Sequence, residues 1–397
     1  MHRSLSIAAT GTGVAALLVV ACSGSFEPTT AIFQTPEPAS SSNAGPSATL
    51  QVSGTTNRLQ AVSAVNERVV WASGVGGTFV LTTNGGRTWQ AGVVPGAEAL
   101  QFRDVQGVNE KVAYLLSAGL GSDNRIYKTK DGGATWTLQF QAGPDPRNFY
   151  DCFDFWSPDR GITFADGVDG RFPVIRTKNG KTWQDIGDRL PAALPGEAGF
   201  AASGTCVATQ GDRRAWIATG GAVPPRILAT TDGGNSWNAY GTPLVKGPSA
   251  GAFTVAFRDR FHGIVAGGDL AADPTKPAPK ERVAVSSDGG KTWTLVKPPP
   301  LDPVDFGGTV FGLSYVPEAG RQTVVVTGPG GTAWSPDEGG KKWKLLPDVK
   351  GFWAVAFASR EAGWLVGTEG RILKISFEKQ GNSGGDDDGD SNRAASH

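Results

Sequence analysis

The chain has 397 residues, with 56 Gly and 12 Trp against a single Met, a mixture that suits many short strands and tight turns better than a helical bundle. Its 37 basic and 37 acidic residues cancel, which removes any electrostatic case for a nucleic-acid partner. The three histidines are His2, His262 and His397; the first and last sit at the chain ends and the second in a turn, so neither a histidine triad nor a histidine-rich metal centre can be assembled. No GxGxxG leads a strand into a helix and no CxxCH occurs, so no cofactor and no metal is expected.

In chain order, Arg3 precedes an apolar run from Val14 to Ala21 that is too short to cross a bilayer and reads as an export signal over residues 1–21. The run ends in Val-Val-Ala-Cys, which resembles a bacterial lipobox with Cys22 as the acylated first residue of the mature chain. The alternative is an ordinary signal peptide cleaved nearby. Ser23 follows where Asp would signal inner-membrane retention, so in a Gram-negative host the outer membrane, periplasmic side, is favoured. The expectation is an exported protein, lipid-anchored to the cell envelope and touching the membrane through that anchor alone. Residues 22–50 are rich in Ser, Pro and Thr and read as a flexible tether, and residues 378–397 as a disordered acidic tail.

Between these ends one motif recurs six times: TTNGGRTW, TKDGGATW, TKNGKTW, TTDGGNSW, SSDGGKTW and SPDEGGKKW, closing on Trp89, Trp136, Trp183, Trp237, Trp293 and Trp343. The side chains of Asn84, Asp131, Asn179, Asp232, Asp288 and Asp337 can bond the amides of their own turns, the glycines supply positive φ, and the Trp packs over the turn. The third copy lacks a glycine and the sixth carries an extra Glu338, so both turns should deviate. A period near 50 residues between strand-like flanks predicts propeller blades of four strands. Each motif follows an apolar strand such as VVWASG or AWIATGG, and a seventh such strand, GWLVGTEGRILKIS, has no motif after it. The fold class is therefore all-β, a seven-bladed β-propeller over residues 51–377 with six blades as the alternative. The segment near Ala48–Leu59 would supply the outer strand that closes the ring. These turns resemble the Asp boxes, or BNR repeats, of sialidases.

In such a fold the loops opposite the Asp boxes frame the channel mouth, where pockets form. The candidates there for ligand binding are Arg103, Tyr150, Asp151, Asp166, Glu197, Arg226 and Asp269, with Asp104, Asp154, Asp169 and Arg282 beside them. The longest loops on that side run from Asp185 to Gly204 and from Ala266 to Arg282. Cys152 and Cys206 occupy one register in neighbouring inner strands, so they form either a disulfide pinning two blades or two buried thiols. No catalytic residue is assigned. Tyr150 with Glu197 could imitate a sialidase nucleophile pair, but the Phe/Tyr-Arg-Ile-Pro motif and an arginine triad are missing.

From Leu59 to Phe377 the chain also resembles the photosystem II stability and assembly factor family of Asp-box propellers, through turns such as TTNGGRTW and the closing GFWAVAFASREAGWLVGTEGRILKI. FYDCFDFW, GEAGFAASGTC and GAFTVAFRDRFHGIVAGGD are similar to a non-photosynthetic bacterial subgroup sometimes labelled oxidoreductase, a label that none of these residues supports. Photosynthetic members are non-enzymatic helpers that bind a membrane-protein intermediate, partly through an arginine patch with no equivalent assigned here. The resemblance implies a non-enzymatic scaffold; the partner expected is an unidentified envelope or membrane protein, a peptide or a glycan, and the chain is expected to be a monomer. A carbohydrate-active hydrolase of sialidase-like fold is the alternative.

Overall fold

A computed structural model describes residues 45–221, 224–320, 322–339 and 342–377. The signal peptide, the acylation candidate Cys22, most of the tether and the acidic tail lie outside the described residues. The described residues form seven four-stranded antiparallel sheets; in six of them each strand pairs with its sequence neighbours, and the seventh joins the two ends of the propeller. The chain is a seven-bladed β-propeller. The innermost strands are β1 (Leu59–Ala64), β2 (Phe102–Gly107), β3 (Tyr150–Ser157), β4 (Val207–Gln210), β5 (Ala250–Phe257), β6 (Gly312–Tyr315) and β7 (Phe352–Ser359).

The ring closes when strand Ser47–Gln51 pairs with Ile372–Ser376, Ser47 facing Ser376 and Gln51 facing Ile372. This strand starts inside the Ser-rich stretch read as tether. Gln51 also joins two blades through its side chain, its Oε1 accepting from Trp89 Nε1 at 3.1 Å and Trp364 Nε1 at 3.2 Å.

The Asp boxes are local hydrogen-bond staples. In the first, Thr82 Oγ1 donates to Asn84 Oδ1 at 3.0 Å and accepts from Gly86 N at 3.0 Å, while Asn84 Oδ1 also accepts from Thr88 N at 3.0 Å. Asp131, Asp232, Asp288 and Asp337 each accept from the hydroxyl two residues earlier in the same way. The third turn is a residue shorter, so Gly180 N, three residues on, takes the place of the usual fourth and donates to Thr177 Oγ1. In the sixth, Glu338 sits where other copies have glycine, at φ 57°. Its carboxylate is held by Arg258 Nε and Tyr315 Oη, both at 2.8 Å, which compensates a backbone geometry that L-residues seldom adopt.

The core lies between blades rather than at one centre. Trp71 of the first blade is fully buried, with Trp136 of the second blade edge-on at 6.2 Å. Trp71 Nε1 donates to Asn109 O at 2.9 Å, and Trp216 Nε1 to Gly289 O at 2.8 Å. A buried indole thereby gains area and satisfies its donor on the next blade. Among the described residues no helix is long and apolar enough to cross a membrane.

Candidate functional site

The inner strands carry a repeated irregularity at their channel-mouth ends. Pairing slips between Leu59 and Ala61, Phe102 and Asp104, Tyr150 and Cys152, Ala252 and Thr254, and Phe352 and Ala354. Each slip leaves one residue out of register: Gln60, Arg103, Asp151, Phe253 and Trp353. Bulges of this kind re-aim a side chain. On the later blades Phe253 and Trp353 are bridged by Phe311, from the blade between them, which lies 6.0 Å from Phe253 and 5.7 Å from Trp353 by ring centroids. The mouth is thus polar on the side of β1–β3 and aromatic on the side of β5–β7.

The mouth is filled by the chain itself. Residues 197–206, between the third and fourth blades, cross it. Phe200 stacks on Phe253 at 3.7 Å, Ser203 Oγ donates to Phe311 O at 2.7 Å, and Arg103 Nη1 donates to Ala201 O at 3.3 Å. Thr205 and Thr254 hydroxyls share a hydrogen bond of 2.7 Å. Gly204 has φ +76°, and a Cβ there would stand 2.4 Å from Asp104 Oδ1, so this crossing requires glycine. Two anchors hold the segment. Cys206 is disulfide-bonded to Cys152, with Cα atoms 5.9 Å apart. Glu197, with its side chain fully buried, accepts from Arg226 Nε at 2.9 Å and Nη2, from Thr219 Oγ1 at 2.7 Å and from Leu194 N at 2.9 Å.

The sequence candidates therefore divide. Arg103, Asp151 and Asp166 come together beneath the segment, and Glu197 with Arg226 forms its clamp. Tyr150 turns away: it packs on Phe140 at 5.3 Å, and burial first, then the charge of Asp185, raises its pKa. Tyr150 and Glu197 thus serve separate structural contacts and do not form a nucleophile pair. Asp269 accepts from Ser249 Oγ at 2.7 Å and Ala271 N at 3.0 Å. Asp169 pairs on the surface with Arg147 at 2.9 Å. Arg282 donates to the carbonyls of Pro279, Pro299 and Gly308, knitting its long loop to the next one. Asp104 accepts from Phe153 N at 2.8 Å and Asp154 from Thr209 N at 2.6 Å, each stapling its strand to the following blade. Burial raises the pKa of both, Asp154 to about 6.

Asp151 is buried, its Oδ2 without a donor among the described residues, and the half-buried Asp166 carboxyl lies beside it. Burial raises both pKa values, and the neighbouring Asp166 carboxyl raises Asp151 further, which favours a protonated Asp151. Asp166 Oδ1 also accepts from Gly199 N at 2.9 Å, tying the pair to the crossing segment. The folded state then binds a proton that the unfolded chain releases near pH 4. Stability from this pair is complete below that pH and is lost as pH rises through the raised folded-state values. Asp151→Asn imitates the protonated form. Melting temperatures from pH 5 to pH 8 should fall less steeply in the variant than in the parent, and parallel curves would contradict the raised pKa of this pair.

The residues missed by sequence reasoning are Arg58, Gln60, Phe253, Phe311 and Trp353. The Arg58 guanidinium lies 5.1 Å over the Trp353 ring and has no hydrogen-bond acceptor among the described residues. From Trp353 the aromatic series runs outward through Phe311 to Phe306, whose ring is 5.6 Å from Phe311. Phe306 holds φ 51° and is 45% exposed, and Val304 beside it is 67% exposed. Among the described residues no group of three or more His, Cys, Asp and Glu is placed to hold a metal ion.

Fold and mouth together define a seven-bladed propeller whose channel is closed on one face by its own chain. No family model and no curated protein matches it. In structure it is similar to YCF48 bound to D1 peptide, at 17% identity and a TM-score of 0.56 over 85% of this chain and 97% of that one. It is similar also to YCF48 from Cyanidioschyzon merolae, at 14% identity and a TM-score of 0.57 over 83% of this chain and 98% of that one. A GH74 enzyme from Niastella koreensis gives 16% identity and a TM-score of 0.53 over 82% of this chain but 53% of that one. At these identities the likeness shows the fold.

Proposed function

We propose that the chain is a non-enzymatic, exported scaffold that binds a protein or peptide on the face opposite the Asp boxes. The observation that carries this reading is the series from Phe306 through Phe311 and Trp353 to Arg58, which joins an exposed ring and aliphatic neighbour to a guanidinium without an acceptor. Exposed aromatic rings and arginine are the side chains that anchor protein interfaces. The likeness to YCF48 bound to D1 peptide supports a polypeptide ligand over a glycan. Acylation at Cys22 and residence in the cell envelope belong to the same reading, with an envelope or membrane protein as the client.

The GH74 likeness supports the alternative of a carbohydrate-active hydrolase. That chemistry needs two carboxyl groups about 5–10 Å apart across an open cleft. Of the candidate acids, Asp151 and Asp166 lie side by side beneath the crossing segment, Glu197 is committed to Arg226, and Asp269 is held by Ser249 and Ala271. The discriminating experiment is capture from solubilised envelopes by the parent and by the Arg58→Glu/Phe306→Ser variant. A protein retained by the parent and lost by the equally stable variant is the expected result. Equal capture by both, or hydrolysis of a glycoside by the parent, would refute the proposal.

A further inference from the structure

On the Asp-box face a groove of about 330 Å³ lies between the second and third blades, lined by Lys128, Lys130, Lys181, Thr137 and Gln139 among others. Lys130 belongs to the second Asp box and Lys181 to the third, so blade stacking brings the two turns together. Lys128 comes from the preceding strand and is buried, its Nζ 3.3 Å from Asp159 Oδ1 and 3.0 Å from Gly180 O. The ammonium groups of Lys130 and Lys181 have no hydrogen-bond or ion-pair partner among the described residues. All three ammonium groups are within electrostatic reach: burial lowers the Lys128 pKa, Asp159 partly offsets this, and Lys130 and Lys181 lower it further. Asp159 is the one carboxylate bonded to the set, and it is 60% exposed. Gln139 Nε2 is committed to Gly180 O at 2.9 Å, which fixes the groove wall.

We propose that this groove binds a phosphate group, carried either by an anionic lipid headgroup or by a soluble molecule. Like charges gathered in one groove repel, and a compact polyanion relieves that repulsion while accepting from several donors at once. The strand Ser47–Gln51 begins, and Ile372–Ser376 ends, on this same face. A lipid anchor at Cys22 would join the propeller from this face and keep the groove within reach of the bilayer, where headgroup phosphates are concentrated. This inference is independent of what binds at the opposite face.

The test uses the full chain carrying Cys22→Ser, so that acylation does not itself recruit membrane, with and without Lys130→Gln/Lys181→Gln. Calorimetric titration with inorganic pyrophosphate at low salt should show saturable binding, weakened about tenfold or more in the double variant at unchanged melting temperature. Flotation with phosphatidylglycerol vesicles but not phosphatidylcholine vesicles, lost in the same variant, assigns the phosphate to lipid. Pyrophosphate binding without flotation assigns it to a soluble ligand. No saturable binding by the parent, or equal affinity in the double variant, overturns the proposal.

Discussion

Replacing Arg226 with Met is expected to lower the unfolding free energy by about 3–5 kcal/mol, the largest effect of any single exchange on the channel-mouth face. Glu197 presents no side-chain surface to solvent, and Arg226 supplies two of its four hydrogen bonds. Without the guanidinium, a buried carboxylate keeps only Thr219 Oγ1 and Leu194 N, too little to offset its desolvation. Adding Glu197→Gln to Arg226→Met should recover part of the loss, because the orphaned charge disappears with its partner. Urea denaturation of both variants measures this. A cost below about 1 kcal/mol for the single variant would place the pair among weak surface contacts and remove the clamp from this account.

Loss of the disulfide ranks second. Cys152 and Cys206 are 54 residues apart in sequence, and closing a loop of that length restricts the unfolded chain by about 4 kcal/mol. For a domain of this size the double exchange to Ala should lower the melting temperature by about 5 °C. The bond also fixes the end of the crossing segment, so amide exchange at residues 197–206 should quicken more than in the Asp-box turns. A uniform rise in exchange would mean that the bond constrains the unfolded chain without a local hold on the mouth.

What was legible beforehand depended on how local the physics is. The Asp boxes were readable because each closes its own hydrogen bonds within a few residues, and the blade count followed from their spacing. The closing strand was anticipated in the segment near Ala48–Leu59, and it forms at Ser47–Gln51; its start inside the stretch read as tether was missed, because Ser-Ala-Thr carries weak strand character. The mouth was the hardest part. Gln60, Arg103, Asp151, Phe253 and Trp353 share one register position but no chemistry, so sequence similarity does not align them. Nothing within GEAGFAASGTC shows that it will fill the channel; that follows from contacts with β5 and from Ser203 reaching Phe311. One signal was present and unused. Asp104 and Cys152 stand at equivalent places in their inner strands, as do Ser63 and Asp154, and each side chain accepts from a backbone amide of the following blade; small polar residues recurring at these positions mark staples between blades more than ligand contacts.

Surplus acidity at the mouth is internal to the fold, whereas its unengaged chemistry is aromatic and cationic. A photocrosslinking amino acid at position 306 tests this most directly, with a matched control at exposed Leu138 on an outer strand. Irradiation in intact cells should yield one discrete protein adduct from position 306, absent from position 138 and absent when Arg58→Glu is present. Adducts from position 138 alone, or none from 306 under conditions that label the control, would contradict a polypeptide-binding face opposite the Asp boxes.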